Sequence, residues 1–398
     1  MKEYILDNGI RLIYIKGTSD LTSISIALKA GAAQDGESLG IAHAVEHMIY
    51  KGTNRRSEAE INEEFSRVFG FTNAMTNYPY VVFYGTLLKE DFEQGLDLFS
   101  DILINPAFKE EGFKEEMDVI KQELKEWDEE LDQYCEDKLL FNCCNNRLKN
   151  PIIGRQDTLS KITLDDIKKF YKNFYTPKNM VIAVVSKEDC YKVFEKVEKY
   201  FAEFKGEEAP SSEEIYENMV FGEFKDTRAG TNSARVQINY PINELSNEEL
   251  KAFRVFNEYF AEGVNSVLFD RLRTKTGLVY DVLSSIGYES YIKTYKVMFN
   301  TSKEMVEKAL EEVNCAIDEI TVLEDSKIKE LAKSIKIKKL FKEEQSIRHT
   351  NALATYAVMF NNLKAYEEAY ENLDKIDGEF IFKTAKKVLK NSSIEIIS

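Results

Sequence analysis

The amino-acid sequence predicts an α+β fold built from two homologous domains, and three observations carry that prediction. Alternating apolar runs and stretches of helical periodicity follow one another along the whole chain. A polar segment containing glycine and proline, residues 205–214, divides the chain almost in half. A strand-to-helix junction then recurs: Phe83-Tyr84-Gly85-Thr86-Leu87-Leu88-Lys89-Glu90 is echoed by Val297-Met298-Phe299-Asn300-Thr301-Ser302-Lys303-Glu304, with 214 residues separating Lys89 from Lys303. A duplicated domain explains that spacing economically. A chain of 398 residues with 43% hydrophobic content is also too long for one small core. The expected division is a first domain over 1–204, a linker over 205–214 and a second domain over 215–398.

The elements follow in order. The opening residues alternate and turn at Asn8-Gly9, a strand and hairpin signal. Strand-like runs at 10–15 and 22–28 precede a helix around residue 45. That helix is introduced by the small, glycine-rich run 29–40 and closed by Lys51-Gly52-Thr53. A helix fits 58–69, extended segments fit 73–76 and 81–88, and a helix fits 90–104. One long charged helix is expected from 109 to about 145, then a helix at 164–174 and a strand at 180–185. The second half reads as strand 234–240, helices 247–261 and 267–274, strands 280–285 and 295–300, and helices 303–320 and 325–341.

Composition narrows the function classes. With 53 basic and 69 acidic residues the formal charge is −16, which argues against binding nucleic acid or an anionic membrane. No stretch approaches the length and apolarity of a membrane span. The five cysteines, Cys135, Cys143, Cys144, Cys190 and Cys315, are odd in number and lack C-x-x-C spacing, so thiols in a reducing compartment are expected. The opening strand pattern does not read as a signal peptide, and a cytoplasmic location follows.

Chemistry concentrates in His43-Ala44-Val45-Glu46-His47, which uses two of the three histidines in the chain. On a helix, His43 and His47 lie one turn apart on one face with Glu46 beside them. Ile41, Ala44, Val45, Met48 and Ile49 supply a buried stripe for that helix. Imidazole nitrogens suit zinc, and a catalytic zinc takes a third protein ligand and leaves a position for water. Glu46 is placed to take the proton of that water. The third ligand must come from elsewhere, and the long charged helix offers Glu115, Glu116, Glu123, Glu126, Glu129 and Glu130.

The order H-x-x-E-H marks inverzincins. Its surroundings, Gly40-Ile41-Ala42-His43-Ala44-Val45-Glu46-His47-Met48 and Lys51-Gly52-Thr53, resemble the pitrilysin/insulinase family of zinc peptidases in its short two-domain branch, which includes mitochondrial processing peptidase and bacterial homologues. The resemblance implies two α/β-sandwich domains, each a largely antiparallel mixed sheet flanked by helices, forming half of a clamshell. It implies one Zn2+ per chain held by His43, His47 and Glu123, the last lying 76 residues beyond His47, with Glu116 seven residues earlier supporting the metal shell. Leu268-Phe269-Asp270-Arg271-Leu272-Arg273-Thr274-Lys275-Thr276-Gly277-Leu278-Val279-Tyr280 is similar to the family block that brings an arginine and a tyrosine to the substrate, here Arg273 and Tyr280, although Thr276 stands where many short-branch members carry arginine. Gly70-Phe71-Thr72-Asn73-Ala74-Met75-Thr76 is similar to the family's substrate strand, with Phe69 in place of its first glycine; Asn73, Ala74, Met75 and Thr76 are the residues expected to meet a peptide.

The expected function is therefore a zinc endopeptidase that cleaves short or unfolded peptides inside an enclosed chamber. Glu46 is the base, and Tyr280 with Arg273 steadies the oxyanion or the substrate. A homodimer, or a heterodimer with a related chain, would complete the chamber. A non-catalytic scaffold and a zinc hydrolase acting on other bonds are the rival readings. His349 matches nothing in the motif.

Overall fold

A computed structural model of the chain describes residues 1–210 and 214–398. Residues 211–213 of the expected linker lie outside the described residues. The chain divides into two compact units: 1–125, 151–214 and 341–363 form the first, and 126–150, 215–340 and 364–398 form the second.

The first unit contains a six-stranded sheet made of β1 (Lys2–Ile5), β2 (Arg11–Lys16), β3 (Leu21–Leu28), β4 (Phe69–Thr76), β5 (Val81–Leu88) and β6 (Met180–Ser186), in the order β1-β2-β6-β3-β5-β4. Only the β2–β6 pair is parallel. Around the sheet run α1 (Ile41–Ile49), α2 (Glu58–Val68), α3 (Phe92–Ile104) and α4 (Phe113–Glu129). The chain then leaves for the second unit in α5 (Leu131–Cys143) and returns for α6 (Gln156–Leu159), α7 (Leu164–Phe174) and α8 (Cys190–Phe201). Buried Ile24, Ile26, Leu28, Val81, Phe83 and Leu87, alternating along β3 and β5, supply the sheet's share of the core.

The second unit repeats this plan. Its strands β7 (Gly222–Asp226), β8 (Ala234–Pro241), β9 (Val279–Glu289), β10 (Ile292–Thr301) and β11 (Ser393–Ile397) pair in the order β7-β11-β8-β10-β9, with β7–β11 the parallel pair. Position for position this is β2-β6-β3-β5-β4. Its helices are α9 (Asn247–Phe260), α10 (Val267–Phe269), α11 (Val306–Asp318), α12 (Asp325–Glu344), α14 (Leu363–Glu368) and α15 (Gly378–Val388), while α13 (Ser346–Phe360) belongs to the first unit. Lys89 and Lys303, the two ends of the repeat seen in the sequence, each open a single helical turn that joins a strand, β5 or β10, to the next helix, α3 or α11.

Two features depart from the sequence reading. The single helix expected over 109–145 is broken: Glu130 is extended (φ −72, ψ 107), so α4 and α5 are separate helices, and the chain passes from one unit to the other at Lys125 and Glu126. The two units also exchange helices, because the chain crosses between them five times, at 125/126, 150/151, 214/215, 340/341 and 363/364. Helix α5, from the first half of the sequence, covers β8 and β11, and α13, from the second half, covers β3 and β6.

Both exchanged helices lie on polar sheet faces. Ser23 Oγ meets Ser346 Oγ at 2.8 Å, and Ser25 Oγ meets Thr350 Oγ1 at 2.7 Å. Under α5, Lys296 pairs with Glu136 at 2.6 Å, Arg235 with Asp132 at 3.1 Å, and Asn142 Nδ2–H donates to Glu395 Oε2 at 2.8 Å. Glu395 is 0% exposed and its Oε1 has no hydrogen-bond partner among the described residues. Burial raises its pKa, with the Asp226 charge adding to the rise and the Asn142 bond and Lys138 opposing it. A carboxyl whose folded pKa is raised stabilises the fold below its ordinary value of 4.5 and loses that contribution as pH rises through the folded value. Glu395→Gln is therefore expected to raise the thermal midpoint at pH 7–8, by about 1 kcal/mol of stability, and to lose that advantage near pH 4. Melts at the two pH values check it.

Candidate metal centre

Helix α1 starts where it does because Asp35 caps it. The Asp35 carboxylate accepts the backbone N–H of Gly40 at 2.8 Å and of Ala42 at 3.0 Å, taking two donors that the first turn leaves unpaired. Gly40 has φ 90, and a Cβ there would stand 2.6 Å from the Ile153 carbonyl oxygen, so this entry admits only glycine. Ile41, Ala42, Ala44, Val45, Met48 and Ile49 are buried. Their packing fixes the helix rotation and with it the directions of His43 and His47.

Helix α4 brings the carboxylates. His47 Nε2 lies 3.3 Å from His43 Nε2 and 3.4 Å from Glu123 Oε2, and His43 Nε2 lies 3.8 Å from the same Glu123 oxygen. Three ligands at zinc distances of about 2.0–2.1 Å, spread at tetrahedral angles, stand about 3.3 Å from one another. The donor set therefore fits a zinc-sized cation, and the three residues form the His/Cys/Asp/Glu group able to hold a metal among the described residues. Glu116, one face-repeat earlier on α4, accepts from His47 Nδ1–H at 2.8 Å, which leaves His47 Nε2 aimed at the other donors. Lys51 Nζ holds the second Glu116 oxygen at 3.1 Å and Glu58 at 2.8 Å.

Burial and the facing carboxylates shift the two imidazoles in opposite directions. Burial, reinforced by His47, pushes His43 down to about 4. Burial also lowers His47, but hydrogen bonds to Glu116 and Glu123 outweigh it and raise the imidazole to about 9. Glu116 is held below the ordinary carboxylate range by its His47 bond against the cost of burial, and so is Glu123. The raised His47 favours a protonated ring, whose Nε2 faces the His43 and Glu123 donors.

Glu46 sits beside this cluster and is not one of its donors. It is 9% exposed, and burial raises its carboxyl although Thr76 opposes the shift. Thr76 Oγ1–H donates to Glu46 Oε2 at 2.6 Å. The segment Asn73, Ala74, Met75, Thr76 ends β4, which pairs with β5 alone and is the sheet's edge. Asn73 and Met75 are exposed, Ala74 is half-buried and Thr76 is buried. Arg273 lies in a π-helical turn, Asp270–Lys275, of the second unit. Its guanidinium stacks 4.8 Å from the Tyr280 ring, and Tyr280, at the start of β9, is 80% exposed. His349 lies on α13. The Asp35 cap, the Lys51–Glu116 pair and the Thr76–Glu46 bond escaped the sequence reading. The Asp35 cap joins residues five and seven positions apart, whereas the Lys51–Glu116 and Thr76–Glu46 pairs join residues whose proximity only the tertiary fold creates.

Comparison with known proteins identifies the class that this fold and site define. Residues 11–156 match the family described as Insulinase (Peptidase family M16), and residues 161–330 match the Peptidase M16 inactive domain. The chain is 30% identical over 290 residues to the uncharacterized zinc protease YmxG of Bacillus subtilis, covering 71% of this chain and 69% of that protein. An uncharacterized zinc protease of Rickettsia felis is 26% identical over 98% of this chain and 96% of its own length. The mitochondrial-processing peptidase subunit beta of Saccharomyces cerevisiae is 31% identical over 52% of this chain and 45% of its own. Among solved structures, a protease from Helicobacter pylori superposes with a TM-score of 0.90 at 20% identity, covering 100% of this chain and 99% of that one. The chain belongs to the insulinase (peptidase M16) family, in its short two-domain branch. The half matched by the inactive domain carries no copy of the histidine motif.

Proposed function

We propose that the protein is a zinc-dependent endopeptidase of short or unfolded peptides. The observation that carries the proposal is the trio His43, His47 and Glu123, with donor atoms 3.3 to 3.8 Å apart, beside the carboxylate of Glu46. The names of its zinc-protease relatives support the same reading. Zinc held by these three residues would supply a polarising charge for the peptide carbonyl and acidify a water. Glu46 takes the proton of the attacking water and returns it to the leaving amine. Glu116 keeps His47 in the tautomer that presents Nε2. The free edge of β4 accepts the peptide backbone as an added strand, which suits a catalyst tolerant of many side chains. Tyr280, steadied by Arg273, donates its phenol to the developing oxyanion or holds the substrate.

The protein works as a dimer with its own copy or with a related chain, in the cytoplasm, where its unpaired cysteines are compatible with a reducing environment. No helix among the described residues is long and apolar enough to cross a membrane. In a homodimer, Tyr280 of one protomer serves the zinc of its partner. Mixing Glu46→Gln protomers with Tyr280→Phe protomers, each inactive alone, is then expected to recover up to about a quarter of wild-type cleavage of a quenched peptide library, the share of one intact site in two across the statistical half of hybrid dimers. Hybrids as inactive as their parents would exclude sharing.

A further inference from the structure

We infer that Thr76 is a positioning residue for the base Glu46 rather than a contact for the peptide, and that it joins the substrate strand to the chemistry. The inference rests on the peptidase reading above. The Glu46 side chain is almost enclosed, and the Thr76 hydroxyl meets it at 2.6 Å. A hydroxyl has one proton to give. That of Thr76 goes to Glu46 Oε2, so Thr76 does not offer it to a substrate, and Glu46 Oε1 remains the oxygen open to a water. The branched Cβ of threonine restricts χ1, so the donor has little freedom to swing away.

Thr76 is also the last residue of β4, paired with Val81 of β5. The strand whose outer edge takes the peptide therefore ends in the group that orients the base. A peptide adding to Asn73, Ala74 and Met75 stiffens the strand that carries Thr76. Binding of extended substrate and alignment of Glu46 are mechanically one event, and a short ligand that fails to pair with β4 gains less from the base.

Valine is the isosteric test, because it keeps the branch and removes the proton. Thr76→Val is expected to leave zinc content and peptide KM within about twofold of wild type and to lower kcat by about 10- to 100-fold, the cost of one hydrogen bond to a charged group. Thr76→Ser, which keeps the hydroxyl, is expected to recover kcat to within about fivefold. A purely structural role would lower the melting temperature and shift KM without rescue by serine. Full kcat in Thr76→Val, or a rise in KM alone, overturns the inference. A readout independent of turnover keeps it separable from the peptidase reading: the infrared carboxyl band that vanishes in Glu46→Gln should shift in Thr76→Val and stay in place in Thr76→Ser. An unshifted band overturns the role of Thr76 even if the chain cleaves nothing, whereas a shifted band in a chain that cleaves nothing leaves Thr76 as the residue that holds the Glu46 carboxyl and overturns the peptidase reading, and with it the role of Glu46 as a base.

Discussion

Glu46→Gln is expected to keep its zinc and lose turnover on the order of 10²–10⁴-fold, the usual contribution of a positioned proton acceptor. The amide has the shape of the carboxyl it replaces and can still accept from Thr76 Oγ1, so the burial of the site is preserved. What it lacks is a lone pair basic enough to take a proton. Glu46 is not one of the three mutually close donors, so its replacement leaves the metal trio untouched. Metal analysis of the purified variant beside peptide-cleavage rates checks both halves. A variant that cleaves at the wild-type rate removes Glu46 from the mechanism, and one that loses zinc assigns it to the coordination shell.

Removing a donor should act in the opposite sense, on the metal first. His47→Ala or Glu123→Ala is expected to weaken zinc binding by more than about 100-fold, since loss of an outer partner alone costs 10–100-fold, and to abolish cleavage as a consequence. The metal-free protein should also show a proton signature. With His47 raised to about 9, its ring is protonated at neutral pH and must lose a proton when zinc enters, while His43, at about 4, is already neutral. Zinc affinity is therefore expected to rise about tenfold per pH unit from near pH 5 to near pH 9 and then level off. The sign for the metal-free fold is the reverse: the raised His47 pKa gives stability that is fully present below 6.5 and lost as pH rises through about 9. Calorimetric titration in buffers of different ionisation enthalpy counts the released proton. Without a released proton, the His47 assignment fails.

Much of this site is legible in one dimension. His43, Glu46 and His47 lie within a single helical turn, where spacing alone fixes their shared face. Glu116 and Glu123 share a helix face for the same reason, but choosing them from a glutamate-rich segment required the family resemblance. The two-domain α+β plan was legible in its periodicities and in the repeated Lys89 and Lys303 junctions. Helix α13 was not, because Ser346, Thr350 and Asn351 point at the serine-lined strand β3, and an apolar period does not mark a polar contact. Strand β11 hid likewise, with Glu395 placed among its buried isoleucines. The break at Glu130 falls in a run without glycine or proline, so no local signal announces it. What decides that break is the sheet on which α5 comes to rest, a long-range fact.

The traded helices bind the two halves of the sequence to each other: cut at 214, each half would keep the helix that covers the other's sheet and lose the one that covers its own. Neither half of the present chain is a transplantable cassette, for each lacks the cover for its own hydroxyl- or charge-bearing sheet face.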